Sequence, residues 1–403
     1  MVPDGPERPW RGGHGPRRPL DAMLRFELLG SSGSGARGPR RGRLTLDHGT
    51  VETPAFMPVG TAGTVKAARW SDVEAAGAEI VLANTYHLML RPGGDVIRRL
   101  GGLHRFLAWD RPILTDSGGY QVMSLAGNRA LSEDGVLFRS HVDGSAHALS
   151  PERAVDLQLG DFGVDVAMVL DECTPYPAVE GAARVSMELT HRWARRAVER
   201  RAVLGGRGGA LFGIVQGGMF PELRTESAAA VASLPFDGIA CGGLSVGEPK
   251  DEMRAMVAHT GPLLPSHKPR YLMGVGRPDD LLHAVAQGFD LFDCVLPTRA
   301  ARHGLLYTSR GTLAIKHARY REDEAPPDPF CGCPTCRRHS RAYLRHLFVA
   351  GEPTAALLLT VHNLTAILDL MRGIREALDA KRYASWAAET LPSWSRPIGK
   401  DSP

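Results

Sequence analysis

The stretch Phe292–Arg302 contains the residues best suited to chemistry. An acidic residue, Asp293, closes a short apolar run, Pro297 ends the extended segment, and two arginines, Arg299 and Arg302, follow. A carboxylate can act as a nucleophile or as a general acid or base, while arginines hold anionic groups. The sequence therefore predicts a catalytic centre at Asp293 beside an anion-binding surface.

Further polar groups follow other short apolar runs. They are Asn84, Asp116-Ser117-Gly118-Gly119, Asp171-Glu172, Gln216-Gly217-Gly218, Gly242-Gly243 and Gly274. A single carboxylate after a strand is commonly a helix N-cap. Several carboxylates and amides together with glycine pairs at one rim favour a binding site instead.

These groups suit a flat heterocyclic base. A carboxylate accepts paired N–H donors, as from a guanine edge, an amide both donates and accepts, and glycine pairs admit a planar ligand close to the backbone. Tyr120 could stack on the base. Asp116 and Asp293 could together support acid–base and nucleophilic chemistry at a glycosidic carbon, and their spacing leaves open which residue plays which part.

The elements that must position these residues are short apolar strands alternating with amphipathic helices. The predicted strands are Ala55–Val59, Glu79–Ala83, Pro112–Leu114, Val166–Leu170, Leu211–Val215, Gly238–Ala240, Tyr271–Met273 and Leu291–Phe292. The predicted helices include Ser71–Ala76, Pro151–Leu159, Ala182–Val203, Pro221–Ala232, Lys250–His259 and Pro278–Ala286, with Ser150 as an N-cap. This alternation predicts an α/β fold with a parallel sheet, closed as a (β/α)8 TIM barrel, although a doubly wound sheet is an alternative that counting leaves open.

The chain divides into four predicted parts. Residues 1–22 are expected to form a disordered basic tail, and residues 391–403 a second tail. The barrel with an N-terminal hairpin region is expected over 23–325, with a hairpin insertion at Gly127–Ala148. A zinc-binding subdomain and C-terminal helices are expected over 326–390.

Three cysteines within six residues, Cys331, Cys333 and Cys336, predict a zinc site. The fourth ligand is left open among His339, His346 and His362. A predicted helix over 363–380 would begin directly after His362. A site with four protein ligands is closed, so it is expected to be structural rather than catalytic.

Composition narrows the class of protein. With 43% hydrophobic and 23% charged residues among 403, the chain is typical of a soluble globular protein. It shows no secretory signal, and no apolar run approaches the roughly 18 residues of a membrane span. Reduced cysteines favour a cytoplasmic location. From Cys294 to Arg321 there are six Lys/Arg and no acidic residue, which favours contact with a nucleic-acid backbone.

Taken together, these residues resemble the tRNA-guanine transglycosylases, also called queuine tRNA-ribosyltransferases, over roughly residues 24–385. The matching stretches are Thr53–Thr61, Asn84–Leu88, Asp116–Gln121, Asp171–Cys173, Gln216–Gly218, Gly242–Leu244, Met273–Gly276, Phe292–Val295, Pro297–Arg299 and the Cys/His module. Cys173 and Val246 resemble the bacterial type, whereas Ser245, Ala300 and His303 depart from its pattern.

The resemblance implies a reaction and a set of roles. The wobble guanine of GUN-anticodon tRNAs would be exchanged for 7-aminomethyl-7-deazaguanine, in queuosine biosynthesis, through a covalent intermediate. Asp293 would be the nucleophile and Asp116 the general acid/base. The base would be bound by Asp116, Ser117, Tyr120, Asp171, Gln216, Gly243, Leu244 and Met273, and the anticodon loop by Thr298, Arg299 and Arg302. One structural Zn²⁺ per subunit would be held by Cys331, Cys333, Cys336 and His362, and the subunits would form a homodimer.

Three other classes of protein are weaker interpretations. A non-catalytic RNA-binding paralogue would not need both Asp116 and Asp293. A zinc-dependent hydrolase would need an open metal site at the strand ends, whereas the cysteines lie beyond the eighth strand. A protein that only binds RNA would gain nothing from carboxylates in a cleft, because they repel phosphate.

Overall fold

The computed structural model describes residues 24–31, 37–125, 129–205 and 208–395. The predicted tail over residues 1–22 lies outside the described residues, as does the end of the second tail, 396–403. The strands are β1 (Arg25–Ser31), β2 (Arg40–Leu46), β3 (Gly49–Thr53), β4 (Ala55–Met57), β5 (Val59–Gly60), β6 (Val81–Asn84), β7 (Ile113–Asp116), β8 (Arg129–Ser132), β9 (Gly135–Arg139), β10 (Ala146–Leu149), β11 (Val166–Met168), β12 (Ala210–Val215), β13 (Gly238–Cys241), β14 (Arg270–Leu272), β15 (Leu291–Asp293), β16 (Leu305–Thr308) and β17 (Gly311–Ala314).

The α-helices are α1 (Trp70–Ala75), α2 (Thr85–Leu90), α3 (Gly94–Arg99), α4 (Leu103–Leu107), α5 (Gly119–Leu125), α6 (Pro151–Val155), α7 (Glu180–Val203), α8 (Pro221–Ala232), α9 (Lys250–Thr260), α10 (Pro278–Ala286), α11 (Leu296–Arg302), α12 (Pro334–Arg338), α13 (Arg341–Ala350), α14 (Pro353–Asp379) and α15 (Tyr383–Ser395). A π-helical segment, Asp156–Phe162, continues α6. The predicted N-cap is confirmed, because Oγ of Ser150 accepts a 3.1 Å hydrogen bond from the backbone N–H of Arg153.

Nine strands form one parallel sheet in the order β4-β15-β14-β13-β12-β11-β7-β6-β5. Only Pro58 separates β4 from β5, and the two pair with opposite ends of the sheet, β4 with β15 and β5 with β6. They are therefore two halves of one strand, and the sheet closes into an eight-stranded barrel. This confirms the predicted (β/α)8 fold and excludes the doubly wound alternative, whose sheet has two open edges.

The eighth helix of the barrel is α14, which packs on α11 and on β4 and so covers the seam between the last and first strands. It is the one helix in the described part of the chain with the length and apolar composition of a membrane span, with a mean hydropathy of 1.5. An apolar run of this length was not predicted. Because 72% of it is buried, it is a core helix.

The predicted start of this helix at residue 363 is wrong. The helix begins at Pro353, and His362 lies well inside it rather than before it. Proline at the first helical position was the overlooked start signal, since its missing N–H costs nothing there. The last helix, α15, extends to Ser395, past the predicted start of the tail at residue 391.

Three smaller antiparallel sheets flank the barrel, and β16 and β17 form the smallest of them. The insertion forms three strands, β8, β9 and β10, one more than the predicted hairpin. The N-terminal sheet, β1 to β3, lies at the amino ends of the barrel strands. Arg40 of β2 fixes it there, because its guanidinium donates to both carboxylate oxygens of the fully buried Asp290, at 2.8 and 2.5 Å.

A second buried carboxylate also ties the N-terminal sheet to the barrel. Asp165 lies 2.9 Å from Nδ1 of His48 and 2.9 Å from Nε2 of His104, and we call these three residues the His48–Asp165–His104 clasp. The two imidazoles stack with centroids 3.5 Å apart and an interplanar angle of 13°. A metal ion lies in the ring plane of each imidazole that binds it, and no position lies in both of these parallel planes. The arrangement therefore favours hydrogen bonding over metal binding.

Candidate active site

The rim formed by the carboxyl ends of the barrel strands brings the predicted polar residues together. Asp116 ends β7 and Asp293 ends β15, while Gln216 directly follows β12. Asp171 comes three residues after β11, and the Gly242-Gly243 pair follows β13. Because all eight strands are parallel, these groups share one end of the barrel, opposite the N-terminal sheet.

Asp116 is held by three donors. The side-chain amides of Asn84 and Gln121 both donate to its Oδ2, the latter at 2.8 Å, and the backbone N–H of Thr85 donates to Oδ1 at 2.9 Å. Burial raises the pKa of Asp116 to about 6, against the opposing effect of these hydrogen bonds, and the charge of Asp293 adds to the rise. A carboxyl with this pKa can both give and take a proton near neutrality.

Asp293 is held through one oxygen only. Its Oδ1 accepts a 2.6 Å hydrogen bond from the hydroxyl of Tyr271 and a 2.8 Å hydrogen bond from the backbone N–H of Gly274. Within the described ranges, Oδ2 accepts none. Burial raises the pKa of Asp293, while these two hydrogen bonds favour its ionised form. One oxygen of a fixed carboxylate is therefore available for reaction.

Asp171 and Gln216 form a pair suited to reading a base edge. The Nε2 of Gln216 donates to Oδ2 of Asp171 at 2.7 Å, and Oγ of Ser117 donates to Oδ1 at 3.3 Å. Burial raises the pKa of Asp171 to about 6. Oε1 of Gln216 is buried and, among the described residues, has no hydrogen-bond partner. A ligand that brings N–H donors would satisfy both groups.

Glycines let the loops approach this pair closely. A Cβ on Gly243, whose φ is +65°, would lie 2.3 Å from Oε1 of Gln216. A Cβ on Gly119 would lie 2.5 Å from the carbonyl oxygen of Asp171. A cleft of about 320 Å³ adjoins this loop, and Gly243, Val246 and Met219 are among the residues that line it. The backbone itself therefore forms part of the binding surface.

The fully buried Arg224 holds the glycine loops in place. Its Nε donates to the carbonyl of Gly218 at 2.8 Å, and its Nη2 donates to the carbonyls of Gly242 and Gly243 at 3.2 and 3.4 Å. The guanidinium therefore links the loops after β12 and β13.

Four other predicted site residues differ in how far they are buried. The side chain of Tyr120 is 51% exposed, and Met273 is half-buried directly after β14. Leu244 is buried beside Gly243. Thr298 is also buried, and its hydroxyl donates at 3.1 Å to the carbonyl of Val295, the residue directly before α11.

The two arginines of α11 differ. Arg299 is exposed, whereas Arg302 is half-buried, with an Nη1 that is buried and unpartnered in the described part of the chain. Burial and the charge of Arg299 lower the pKa of Arg302. A partly desolvated guanidinium with a free donor is suited to an anionic ligand.

The Cys/His residues form a cluster that could hold a metal ion. The ligand atoms of Cys331, Cys333, Cys336 and His362 all lie within 4.8 Å of one another. Nδ1 of His362 is 3.2 Å from Sγ of Cys336, and its Nε2 is 2.8 Å from the carbonyl of Tyr307. A proton on Nε2 leaves the Nδ1 lone pair facing the sulfurs, as metal ligation requires. Of the three candidate histidines, His362 is the one in this cluster.

The residues that support the rim were not predicted from the sequence. Thr85, Gln121, Arg224 and Tyr271 were not assigned these contacts. Tyr271 gave a signal, because a hydroxyl in the middle of a buried barrel strand needs a polar partner. Arg224 gave a weaker one, as a cation on the apolar side of an amphipathic helix.

A barrel whose rim carries two differently held carboxylates beside a carboxylate–amide pair suited to a base edge is the framework of a glycosyl-transferring enzyme. The family model for queuine tRNA-ribosyltransferase matches residues 35–396. The chain therefore belongs to the queuine tRNA-ribosyltransferase family and is a pentosyltransferase.

Bacterial relatives agree with this assignment. A queuine tRNA-ribosyltransferase of Thioalkalivibrio sulfidiphilus (strain HL-EbGR7) is 53% identical over 366 residues, which is 91% of this chain and 96% of the relative. One of Methylibium petroleiphilum (strain ATCC BAA-1232 / LMG 22953 / PM1) is 54% identical over 372 residues, or 91% and 98%. One of Oleidesulfovibrio alaskensis (strain ATCC BAA-1058 / DSM 17464 / G20) is 55% identical over 348 residues, or 86% and 92%. The predicted family is confirmed.

Proposed function

We propose that this enzyme exchanges the wobble guanine of GUN-anticodon tRNAs for 7-aminomethyl-7-deazaguanine by double displacement, as a step of queuosine biosynthesis. The observation that carries this proposal is the unequal holding of the two rim carboxylates. Asp116 accepts from three donors and has a pKa of about 6, whereas Asp293 keeps one oxygen without a donor in the described structure. Acid–base work suits the first and nucleophilic attack the second.

In the first half of the exchange, Oδ2 of Asp293 forms a bond to the anomeric carbon of the ribose while the bond from that carbon to guanine breaks. Protonated Asp116 gives its proton to the departing base. In the second half, Asp116 takes the ring N–H proton of the incoming base, whose nitrogen attacks the same carbon. The bond to Asp293 breaks, and its electron pair returns to the carboxylate.

Asp171 and Gln216 would read the donor edge of the base. This role is supported by the unpartnered Oε1 of Gln216, which needs a donor from a ligand, and by the buried carboxylate of Asp171, which has lone pairs left to accept further donors. Ser117, which donates to Asp171, would fix that carboxylate. The backbone of Gly243 and Leu244 would contact the base, and Tyr120 and Met273 would cover its faces.

Arg299 and Arg302 would bind phosphates of the anticodon loop. The buried free donor of Arg302 supports this role, because an anion would satisfy it. The predicted contact of Thr298 with RNA has weaker support, since its buried hydroxyl is already donated to Val295.

Zinc would be held by Cys331, Cys333, Cys336 and His362. The three sulfurs and Nδ1 of His362 form a donor set typical of structural zinc, and the hydrogen bond from His362 to Tyr307 fixes the ring for ligation. Bound zinc would supply a cross-link between the cysteine loop and α14, and no step of the exchange needs it.

We further propose that the enzyme is cytoplasmic and forms a homodimer. Sedimentation of the purified protein tests the oligomeric state. The domain boundaries stay a prediction.

The direct test is a covalent adduct. The enzyme incubated with unmodified tRNA should give an RNA–protein band that survives denaturing electrophoresis, and free base should discharge it. Asp293→Asn should abolish both the adduct and exchange, because an amide is a poor nucleophile. Asp251→Asn, on the outer helix α9, is the matched control and should behave as wild type. Full activity in Asp293→Asn would overturn the proposal.

The identity of the incoming base needs its own assay. The aminomethyl base and queuine should be compared side by side with the same tRNA, since Cys173 and Val246 are the residues that favour the bacterial type. We expect the aminomethyl base to be incorporated and queuine to be rejected. Equal use of both would contradict the proposed substrate.

A further inference from the structure

Beneath the rim lies a phenol that the exchange chemistry does not use. Tyr271 occupies the middle of β14, is 1% exposed, and lies in register with Leu291 of β15. Paired residues of parallel strands point to the same face, and alternate residues along one strand also share a face. Tyr271, Leu291 and Asp293 therefore all face the barrel interior. Asp293 lies roughly 6 to 7 Å further along the strand than Leu291, which a tyrosine side chain can span.

The hydroxyl of Tyr271 ends at the proposed nucleophile. It donates to Oδ1 of Asp293 at 2.6 Å, and the backbone N–H of Gly274 donates to the same oxygen at 2.8 Å. Neither reaches Oδ2. The two oxygens of this carboxylate are therefore not equivalent, because Oδ1 accepts two hydrogen bonds and Oδ2, among the described residues, accepts none.

The phenol remains a donor throughout the working pH range. Burial raises the pKa of Tyr271 well above its ordinary value, and the charge of Asp293 raises it further. The proton thus stays on the hydroxyl, and the hydrogen bond always runs from Tyr271 to Asp293. It favours the ionised carboxylate within a buried site that otherwise opposes ionisation.

We propose that Tyr271 is a positioning residue that fixes Oδ1 of Asp293, presents Oδ2 to the ribose, and stabilises the carboxylate as it leaves in the second half of the exchange. This inference rests on the proposed nucleophilic role of Asp293. When Oδ2 bonds to the anomeric carbon, Oδ1 becomes the carbonyl oxygen of the ester and keeps its hydrogen bond. When that bond breaks, the phenol meets the returning negative charge, and no proton moves from Tyr271.

The two half-reactions should respond differently to loss of the hydroxyl. In Tyr271→Phe, Asp293 keeps only the donor of Gly274, so ionisation becomes harder and the acid limb of kcat/KM should move up by about one pH unit. Once ionised, the less stabilised carboxylate attacks readily but leaves slowly. The adduct should therefore make up a several-fold larger fraction of the enzyme at steady state.

Tyr383→Phe is the matched control. Tyr383 is also buried, and its hydroxyl donates a 2.6 Å hydrogen bond to the carbonyl of Leu282 between two outer helices. The Tyr383→Phe variant therefore loses a hydrogen bond of the same length as the one lost in Tyr271→Phe, but one that does not involve Asp293. Its pH profile and adduct fraction should match wild type, even if its melting temperature falls. Equal shifts in both variants would mean that Tyr271 acts through general stability, and would overturn the inference.

A graded variant gives a readout in the opposite direction. 3-Fluorotyrosine at position 271 keeps the hydroxyl but makes it a stronger donor, so the acid limb should move to lower pH and the adduct fraction should fall. Superimposable profiles for wild type, Tyr271→Phe and the fluorinated enzyme would refute the role of Tyr271. If wild type itself forms no adduct and Asp293→Asn still exchanges bases, the proposed function fails instead.

Discussion

The side-chain amide of Gln216 points its donor at Asp171 and its acceptor away from that carboxylate. Nε2 is 2.7 Å from Oδ2 of Asp171, while Oε1 is buried with no partner among the described residues. The hydrogen bond thus fixes the orientation of the amide. A base without N–H donors would leave Oε1 unsatisfied and would give the Asp171 carboxylate no donor beyond Gln216 and Ser117, which is costly in a buried site.

Asp171→Asn should weaken base binding more than catalysis. The substitution keeps the shape but loses the charge, and its new N–H₂ group cannot accept from the base. We expect KM for guanine to rise about ten- to hundred-fold, as for loss of one charge-assisted hydrogen bond, with a smaller change in kcat. Initial rates of guanine incorporation across base concentrations measure this. Glu172→Gln changes the adjacent carboxylate and should leave KM unchanged. An unchanged KM in Asp171→Asn would show that Asp171 does not read the base.

Asp116→Asn should make the protein more stable but inactive. The folded-state pKa of Asp116 lies near 6, above its ordinary value of 3.8, because burial opposes its charge. Its stabilising contribution is therefore complete below pH 3.8 and is lost as the pH rises through about 6. An asparagine carries no charge, and the amides of Asn84 and Gln121 can turn their oxygens towards its N–H₂ group, so the free energy of unfolding at pH 7.5 should rise by about 1 to 3 kcal/mol.

Thermal unfolding from pH 4 to 8 tests the stability of Asp116→Asn. The variant should melt above wild type at pH 7.5, and the gap should close as the pH falls towards 4. A gap that does not change with pH would mean that the charge of Asp116 is not the cause.

The His48–Asp165–His104 clasp should stabilise the fold over a limited pH window. Burial opposes the charges of Asp165 and His48. Hydrogen bonds from the imidazoles nevertheless lower the pKa of Asp165, and the Asp165 carboxylate raises the pKa of His48. The contribution of Asp165 is present above the ordinary carboxyl pKa and is lost as the pH falls through the lowered value. That of His48 is present below the ordinary histidine pKa and is lost as the pH rises through the raised value. The clasp is therefore strongest between about pH 4 and 6.5.

His48→Phe should keep an aromatic ring stacked on His104 but remove the hydrogen bond from His48 to Asp165. Because His48 is partly exposed, we expect a loss of roughly 1 kcal/mol at pH 5.5 and a smaller one at pH 8.5. Urea denaturation at the two pH values measures this difference. His267→Phe, an exposed histidine outside the clasp, should show no such dependence. A loss that is larger at pH 8.5 would mean that protonated His48 is not the stabilising form.

Cys336→Ser should remove the metal and destabilise the C-terminal part of the chain. Its sulfur lies 3.2 Å from Nδ1 of His362, so its replacement breaks the donor set. We expect zinc content to fall from one equivalent to well below one, and the melting temperature to fall by roughly 5 °C or more. Cys241→Ser, on β13 and outside the cluster, should retain one equivalent. Full zinc content in Cys336→Ser would exclude Cys336 as a ligand.

Much of the fold could be predicted from the sequence because the strands and helices alternate with clear periods. The starts of α8 and α10 at Pro221 and Pro278 were predicted correctly. Barrel closure was harder, since it depends on the first barrel strand, β4 with β5, pairing with the last one, β15, which lies more than 200 residues later in the chain. No local pattern specifies that pairing.

The candidate site was predictable in its reactive groups but not in their support. Asp116, Asp171 and Asp293 follow apolar runs, which the sequence displays directly. Their hydrogen-bond partners, such as Tyr271 for Asp293, come from other strands and become neighbours only in the folded barrel. The pKa shifts depend on the same burial and contacts, so they could not be predicted from the sequence either.

The position of α14 has a consequence for how the protein is made. The helix closes the barrel at its seam, and Arg375 within it donates to the carbonyl of Pro54, 321 residues earlier in the chain. A nascent chain that has already left the ribosome with all eight strands still lacks this helix, and the apolar seam stays open to water. Folding must therefore finish after almost the whole chain is synthesised, which makes the partly built barrel a client for chaperones and a substrate for proteases.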